Sequence, residues 1–333
     1  MRKLERLEQL KNLTVSGAAV EQAEWFFPST IGNTLIHVVF WTKTHRPKAI
    51  LQLSHGMCEH IGRYDAFARA AAEQGILVVG SDHLGHGLSV SSKEYYGYFG
   101  MEEGQDNLVR DLYSLTKRMK ELYPGIPYVL FGHSFGSMLA QLYVARFPEG
   151  ADLLLLCGVA APNPLAGVLR RGVEKHIHRF GLFNREAKFR KLQTAVFNWK
   201  IKPHHSPNDW ISTLPEVVEA FDQDPLCGIP FTAAGYRDLL TTNILIGEKR
   251  WFGQVPKQLP IRIFSGALDP VGEYGKGARK LAQRLQSVGV RDVTCKIYPN
   301  VRHELLNESC REEVTADFLG AVLDFLSRQE TER

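Results

Sequence analysis

The sequence predicts an α/β fold, with a mostly parallel central sheet flanked by helices and a helical segment inserted into it. Three observations carry the prediction. Short apolar, β-branched runs recur along the chain, amphipathic helical patterns separate the later runs, and one long aromatic-rich stretch interrupts the alternation.

The chain opens with "MRKLERLEQLKNLTVSG", where Glu5, Glu8 and Lys11 break any apolar core that a signal peptide would need. Residues 1–20 read as a short charged helix or a frayed arm. The candidate strands are "TLIHVVFW" (34–41), "AILQLSH" (49–55), "ILVVGSD" (76–82), "YVLFGHS" (128–134), "LLLLCGV" (153–159), "IRIFSG" (261–266) and "VTCKIYP" (293–299). Several are nearly continuous apolar runs, the pattern of strands buried on both faces. "AILQLSH" follows "TLIHVVFW" across a short Pro-containing connection, which suits an antiparallel start to the sheet.

Helices are expected over 63–75, which is Ala-rich and ends at a Gly, and over 104–123. The latter places Leu108, Leu112, Leu115, Met119 and Leu122 on one face. Two more are expected over 137–148 and 312–326. Residues 162–250 show no buried-strand pattern and are rich in Phe and Trp. They read as a helical insertion, with core segments 1–161 and 251–333 on either side.

Composition narrows the function. A net charge of +4 without a Lys/Arg block or an aromatic platform argues against nucleic-acid binding. Five scattered cysteines, none in Cys-x-x-Cys spacing, suit free thiols in a reducing compartment. No run approaches the ~18–20 apolar residues of a membrane span. A cytoplasmic, soluble protein is the expectation.

The chemistry centres on Gly132-His133-Ser134-Phe135-Gly136. A strand precedes this motif and a helix follows it, as in a sharp turn that lifts a serine hydroxyl above a sheet. A serine needs a base, and the base needs an acid that fixes its tautomer. In folds that use such a turn the order is Ser, acid, His. After Ser134 come His176, His178, His204, His205 and His303, and only His303 lies outside the insertion, just past a core strand. Asp269 follows the strand 261–266, whereas its rival Asp292 precedes its strand and falls at the wrong sheet edge. Two backbone N–H groups should hold the oxyanion. One is that of Phe135, after the serine, and the other that of Met57, in the His55-Gly56 loop after an early strand. His55, His60, His83 and His86 lack the ligand spacing of a metal site, and Asp82 reads as a turn organiser. No metal and no organic cofactor is expected.

The segments "HGMCEHIGRY" (55–64), "SDHLGHGLS" (81–89), "GHSFGS" (132–137), "SGALDPVG" (265–272) and "YPNVRHELLNE" (298–308) make the chain resemble the monoacylglycerol lipase and lysophospholipase branch of the α/β-hydrolase superfamily, grouped with serine aminopeptidases. The resemblance runs from about Glu24 onward. It implies the α/β-hydrolase fold, a helical cap at 162–250, and hydrolysis of single-acyl lipid esters through Ser134, His303 and Asp269. In one departure, Cys58 stands where the family's oxyanion loop often has a second glycine.

Residues 162–205 hold ten Lys/Arg and two Glu, a local charge of +8, interleaved with Phe and Trp. This is either a solvated helix face or a surface that contacts anionic lipid. Two rival functions stay open: a serine aminopeptidase or amidase, which would need carboxylates such as Glu216, Glu219, Asp222 and Asp224 for a substrate ammonium, and a non-catalytic ligand-binding protein on the same scaffold.

Overall fold

The structure is a computed structural model and describes residues 19–331. The expected charged N-terminal arm falls, except for its last two residues, outside the described residues. The strands are β1 (Glu21–Pro28), β2 (Leu35–Thr42), β3 (Ala49–Ser54), β4 (Ile76–Ser81), β5 (Tyr128–His133), β6 (Leu153–Cys157), β7 (Ile261–Gly266) and β8 (Val293–Tyr298). The helices are α1 (Asp65–Glu73), α2 (Gly104–Leu122), α3 (Phe135–Arg146), α4 (Ala166–Phe180), α5 (Ala187–Phe197), α6 (Pro215–Gln223), α7 (Ala233–Leu245), α8 (Lys249–Gln254), α9 (Lys276–Ser287) and α10 (Arg311–Thr331).

All eight strands form one sheet in the order β1-β2-β4-β3-β5-β6-β7-β8. From β4 to β8 every pairing is parallel, while β2 is antiparallel to both β1 and β4. Two features differ from the sequence reading. β1 had no counterpart there. Moreover, β2 does not lie beside β3, because the β3–α1–β4 crossover places β4 between them. The antiparallel start is therefore a β1–β2 ribbon attached to the outer side of β4.

Alternation along the central strands builds two cores. Ile50, Leu77, Val79, Leu130, Leu154 and Leu156 face α2, α3 and α9. Leu51, Leu53, Val78, Val129, Phe131, Leu153 and Leu155 face α1 and α10. Each such aliphatic side chain contributes roughly 1.5–3 kcal/mol on burial. On α2 the expected stripe is buried at Leu108, Leu112, Leu115 and Met119, with Leu122 at its fringe.

Between Cys157 and Ile261 the described chain forms helices α4–α8 and short turns but no strand, and α8 runs across position 250. Because β3 to β8 all point one way, the loops after β3, β5, β7 and β8 emerge at one sheet edge, where ligands bind in open α/β sheets. No helix among the described residues is long and apolar enough to cross a membrane.

Candidate active site

Ser134 sits between β5 and α3 with φ 53° and ψ −118°, a conformation that costs a non-glycine residue about 1–3 kcal/mol. It is held from both sides. Its N–H donates to the Cys157 carbonyl (3.0 Å), and its own carbonyl accepts from the Ser137 hydroxyl (2.6 Å). The flanking glycines are steric necessities. A Cβ on Gly132 would come 2.6 Å from the Gly136 carbonyl oxygen, and one on Gly136 would collide with the carbonyl oxygens of Ser54 and His55. Gly136→Ala is accordingly expected to destabilise the protein by about 3 kcal/mol or more, since backbone rather than a flexible side chain must yield. Chemical denaturation of the variant measures this, and a wild-type midpoint would contradict it.

His303 follows β8, and its Nδ1 lies 2.9 Å from Asp269 Oδ2. Both residues are fully buried. The other Asp269 oxygen accepts the Val271 N–H (2.9 Å), so the carboxylate is fixed at both oxygens. With Nδ1–H directed at Asp269, His303 Nε2 is the acceptor nitrogen, and it is buried with no hydrogen-bond partner among the described residues. Asp292 is paired with Arg262 (2.7 Å) at the opposite end of β7, away from this site. Among the other candidate histidines, His176 bonds to Asn184 within the helical segment.

His133 is not positioned as a competing base. Its Nδ1 faces Glu59 (3.3 Å), its Nε2 faces the His303 carbonyl (3.3 Å), and its ring lies 4.8 Å from that of His303. It thus spans the Ser134 turn, the loop after β3 and the loop after β8. Met57 and Phe135 both lie at this edge, and among the described residues no backbone carbonyl accepts from either N–H.

A buried polar network beneath these residues had no sequence signal beyond the position of Glu59 in the His55-Gly56 loop. Glu59 accepts from the Gly56 N–H (2.5 Å), the Tyr64 hydroxyl (2.8 Å) and Arg63 (2.9 Å), and Arg63 makes a two-pronged pair with Glu304. Burial opposes the charge on Glu59, but hydrogen bonding to His133 and the Arg63 cation hold its carboxyl well below the usual range. The network joins the loop after β3 to the loop that carries His303.

Cys58 has φ 57°, the left-handed region that a glycine at this position would enter without strain. Its carbonyl accepts the Gly228 N–H (2.8 Å), so the helical segment is stitched to this loop. A second junction involves residues 209–213. Arg302 donates to the carbonyls of Asp209 (2.6 Å) and Ser212 (2.7 Å). Glu308 accepts from the Thr213 N–H (2.7 Å) and hydroxyl. Trp210 lies 5.0 Å from the His303 ring.

His55, His83 and His86 pack ring against ring, and desolvation lowers the pKa of all three, that of His86 to about 3. Asp82 accepts from the Ile61 and Leu88 N–H groups and pairs with His37 (2.8 Å). Burial pushes its carboxyl up, but the His37 bond prevails and leaves it at about 2.

Comparison with known proteins agrees with this fold. The family described as serine aminopeptidase, S33, matches residues 45–310. The human monoglyceride lipase is 28% identical over 271 residues, covering 81% of this chain and 80% of that protein. A monoacylglycerol lipase of Mycolicibacterium smegmatis is 26% identical over 302 residues, covering 89% and 95%. Among solved structures, a thermostable carboxyl esterase from Bacillus coagulans in complex with glycerol superposes with a TM-score of 0.86 at 29% identity, covering 92% of this chain and 99% of that one. The chain therefore belongs to the serine aminopeptidase S33 family of α/β hydrolases, in its monoacylglycerol lipase-like branch.

Proposed function

We propose that the protein is a serine hydrolase that cleaves carboxylic esters of single-acyl lipids, such as monoacylglycerol or lysophospholipid. The observation that carries this reading is the buried Asp269–His303 pair, 2.9 Å apart, at the same sheet edge as the strained Ser134 turn. Ser134 Oγ attacks the ester carbonyl carbon while His303 Nε2 takes its proton. Asp269 holds the Nδ1–H tautomer and stabilises the imidazolium. The Met57 and Phe135 N–H groups receive the carbonyl oxygen as it becomes negative. The tetrahedral adduct collapses, His303 returns the proton to the departing alcohol, and an acyl-enzyme remains. Water that gives up a proton to His303 then releases the fatty acid.

Support for the lipid ester comes from the relatives named above and from the surface of residues 162–250, read as a cap. Of the ten exposed large apolar residues among those described, eight lie between 165 and 199, including Phe180, Phe183, Val196 and Trp199. Two of the basic residues there are already occupied, since Arg185 and Arg190 donate to the backbone carbonyls of Pro230 and Gly228. Two more, Arg170 and Lys188, pair with Glu174 (3.3 Å) and Glu186 (3.5 Å), and the remaining basic residues together with the exposed apolar ones suit the surface of an anionic bilayer. Sedimentation with vesicles is expected to recover more protein with anionic than with neutral lipid, and equal recovery would remove this part of the reading. The five cysteines are free thiols, in keeping with a cytoplasmic setting.

The aminopeptidase reading is weaker. Of its candidate carboxylates, Asp222 is engaged by Ser206 and Asn208, Asp224 by His60, and Glu219 by Gln223. A series of glycerol and p-nitrophenyl esters run beside aminoacyl anilides tests the choice. Esters are expected to turn over at least about 100-fold faster, a difference of roughly 2.7 kcal/mol in transition-state binding. Faster anilide cleavage would transfer the assignment to a peptidase.

A further inference from the structure

The histidine of the loop after β3 that joins neither the catalytic residues nor the stacked His55, His83 and His86 is His60. Its partners come from the helical segment. His60 Nε2 lies 2.9 Å from Asp224 Oδ2, and Cys227 completes a group whose ligand atoms all fall within 4.8 Å of one another. One tight turn assembles the Asp and the Cys: the Cys227 N–H donates to the Asp224 carbonyl (3.0 Å) and the Leu226 N–H to Asp224 Oδ1 (2.8 Å). The two segments are already joined next door by the bond from the Gly228 N–H to the Cys58 carbonyl. His60 and Asp224 open onto a cleft of about 370 Å³, also lined by Glu216 and Arg63, while Cys227 is buried behind them.

We propose that His60, Asp224 and Cys227 form a binding site for a zinc-class divalent metal ion, spanning the loop after β3 and the 224–228 turn. An imidazole, a carboxylate and a thiolate are the donor set that such an ion prefers, and three protein ligands beside a solvent cleft leave the fourth tetrahedral position to water. Donors around tetrahedral zinc stand roughly 3.3–3.8 Å apart, given bonds of ~2.0–2.3 Å. From separations of at most 4.8 Å, the Cys227 sulfur and the other two donors need to close by no more than about 1 Å, while the His60–Asp224 pair opens slightly from 2.9 Å, and rotation of the half-buried His60 and Asp224 side chains can supply both changes. On binding, the Cys227 thiol releases its proton to solvent as the metal–sulfur bond forms. His60 gives up the Nε2 proton that it donates to Asp224 in the metal-free state and takes one from solvent at Nδ1, so that Nε2 offers its lone pair to the metal while Asp224 exchanges its bond to His60 for the metal. The two negative ligands then balance the doubly charged cation. Arg63 does not repel it strongly, because its charge is committed to Glu59 and Glu304.

Cobalt(II), added to reduced, chelator-treated full-length protein, is the probe. One equivalent is expected to give a thiolate-to-cobalt charge-transfer band with the intense visible bands of tetrahedral cobalt, and one equivalent of zinc should bleach both. Cys227→Ser is expected to lose the charge-transfer band, and His60→Gln to weaken cobalt binding at least tenfold. His60 is partly exposed, so its variant carries the test even where Cys227→Ser lowers the melting temperature. Three results would each overturn the site: no thiolate band in the wild type with excess cobalt, a band that persists in Cys227→Ser, or unchanged affinity in His60→Gln. The readout is spectroscopic, so it stands or falls separately from ester hydrolysis.

Discussion

Ser134→Ala is expected to lower kcat/KM for an ester substrate by about 10⁴- to 10⁶-fold, with the melting temperature almost unchanged. The rate falls because no other described hydroxyl occupies the strained turn at the head of α3, and residual turnover would come from binding and oxyanion contacts alone. The fold should hold because the anchors of this turn, to the Cys157 carbonyl and from the Ser137 hydroxyl, use the backbone of residue 134 rather than its side chain. A fluorophosphonate probe reports the same point directly. It should label the wild type at residue 134 and leave the alanine variant unmodified. Ser134→Gly is a useful companion: it should be equally inactive and melt somewhat higher, since glycine accepts φ 53° without strain. Labelling of folded Ser134→Ala at another serine, or ester turnover within tenfold of wild type, would remove Ser134 from its role.

Asp269→Asn should cost about 10³- to 10⁴-fold in kcat and leave KM within a few-fold. The buried carboxylate accepts from both His303 Nδ1 and the Val271 N–H, a pairing that suits an acceptor-only group. An amide can instead turn its NH₂ toward Nδ1. His303 would then carry its proton on Nε2 and could no longer receive one from Ser134. Because the exchange is nearly isosteric, substrate binding should survive while the chemical step fails. Steady-state kinetics that separate kcat from KM provide the check. A loss confined to KM would mean that Asp269 shapes the binding cleft rather than the base.

The parts of the fold legible in the sequence were those under the strongest physical constraint. "LLLLC" and "ILVVGS" are buried on both faces and can hardly be anything but central strands. β1 escaped notice because "EQAEWFFP" is an edge strand with alternating exposure, and its fully buried residues, Trp25 and Phe27, fall near one end. The position of β4 between β2 and β3 also escaped, since neither strand's composition encodes its neighbour. Ser134, Asp269 and His303 could be chosen because each follows a strand and their order is restricted by the turn chemistry. The Arg63–Glu304 pair, 241 positions apart, and the His60–Asp224 pair, 164 apart, could not. Such contacts arise only once the sheet brings its loops to a common edge.

The junction at residues 209–213 carries a mechanical consequence. Arg302 and Glu308 flank His303 in sequence, and both grip the same short turn of the helical segment. That turn and the imidazole therefore share one mounting. In the proposed mechanism a displacement of 209–213 would misalign the proton acceptor, so substrate entry is expected to be accommodated elsewhere in the segment. The loop that carries His303 would then keep its place through such a movement, just as a door leaves its frame standing.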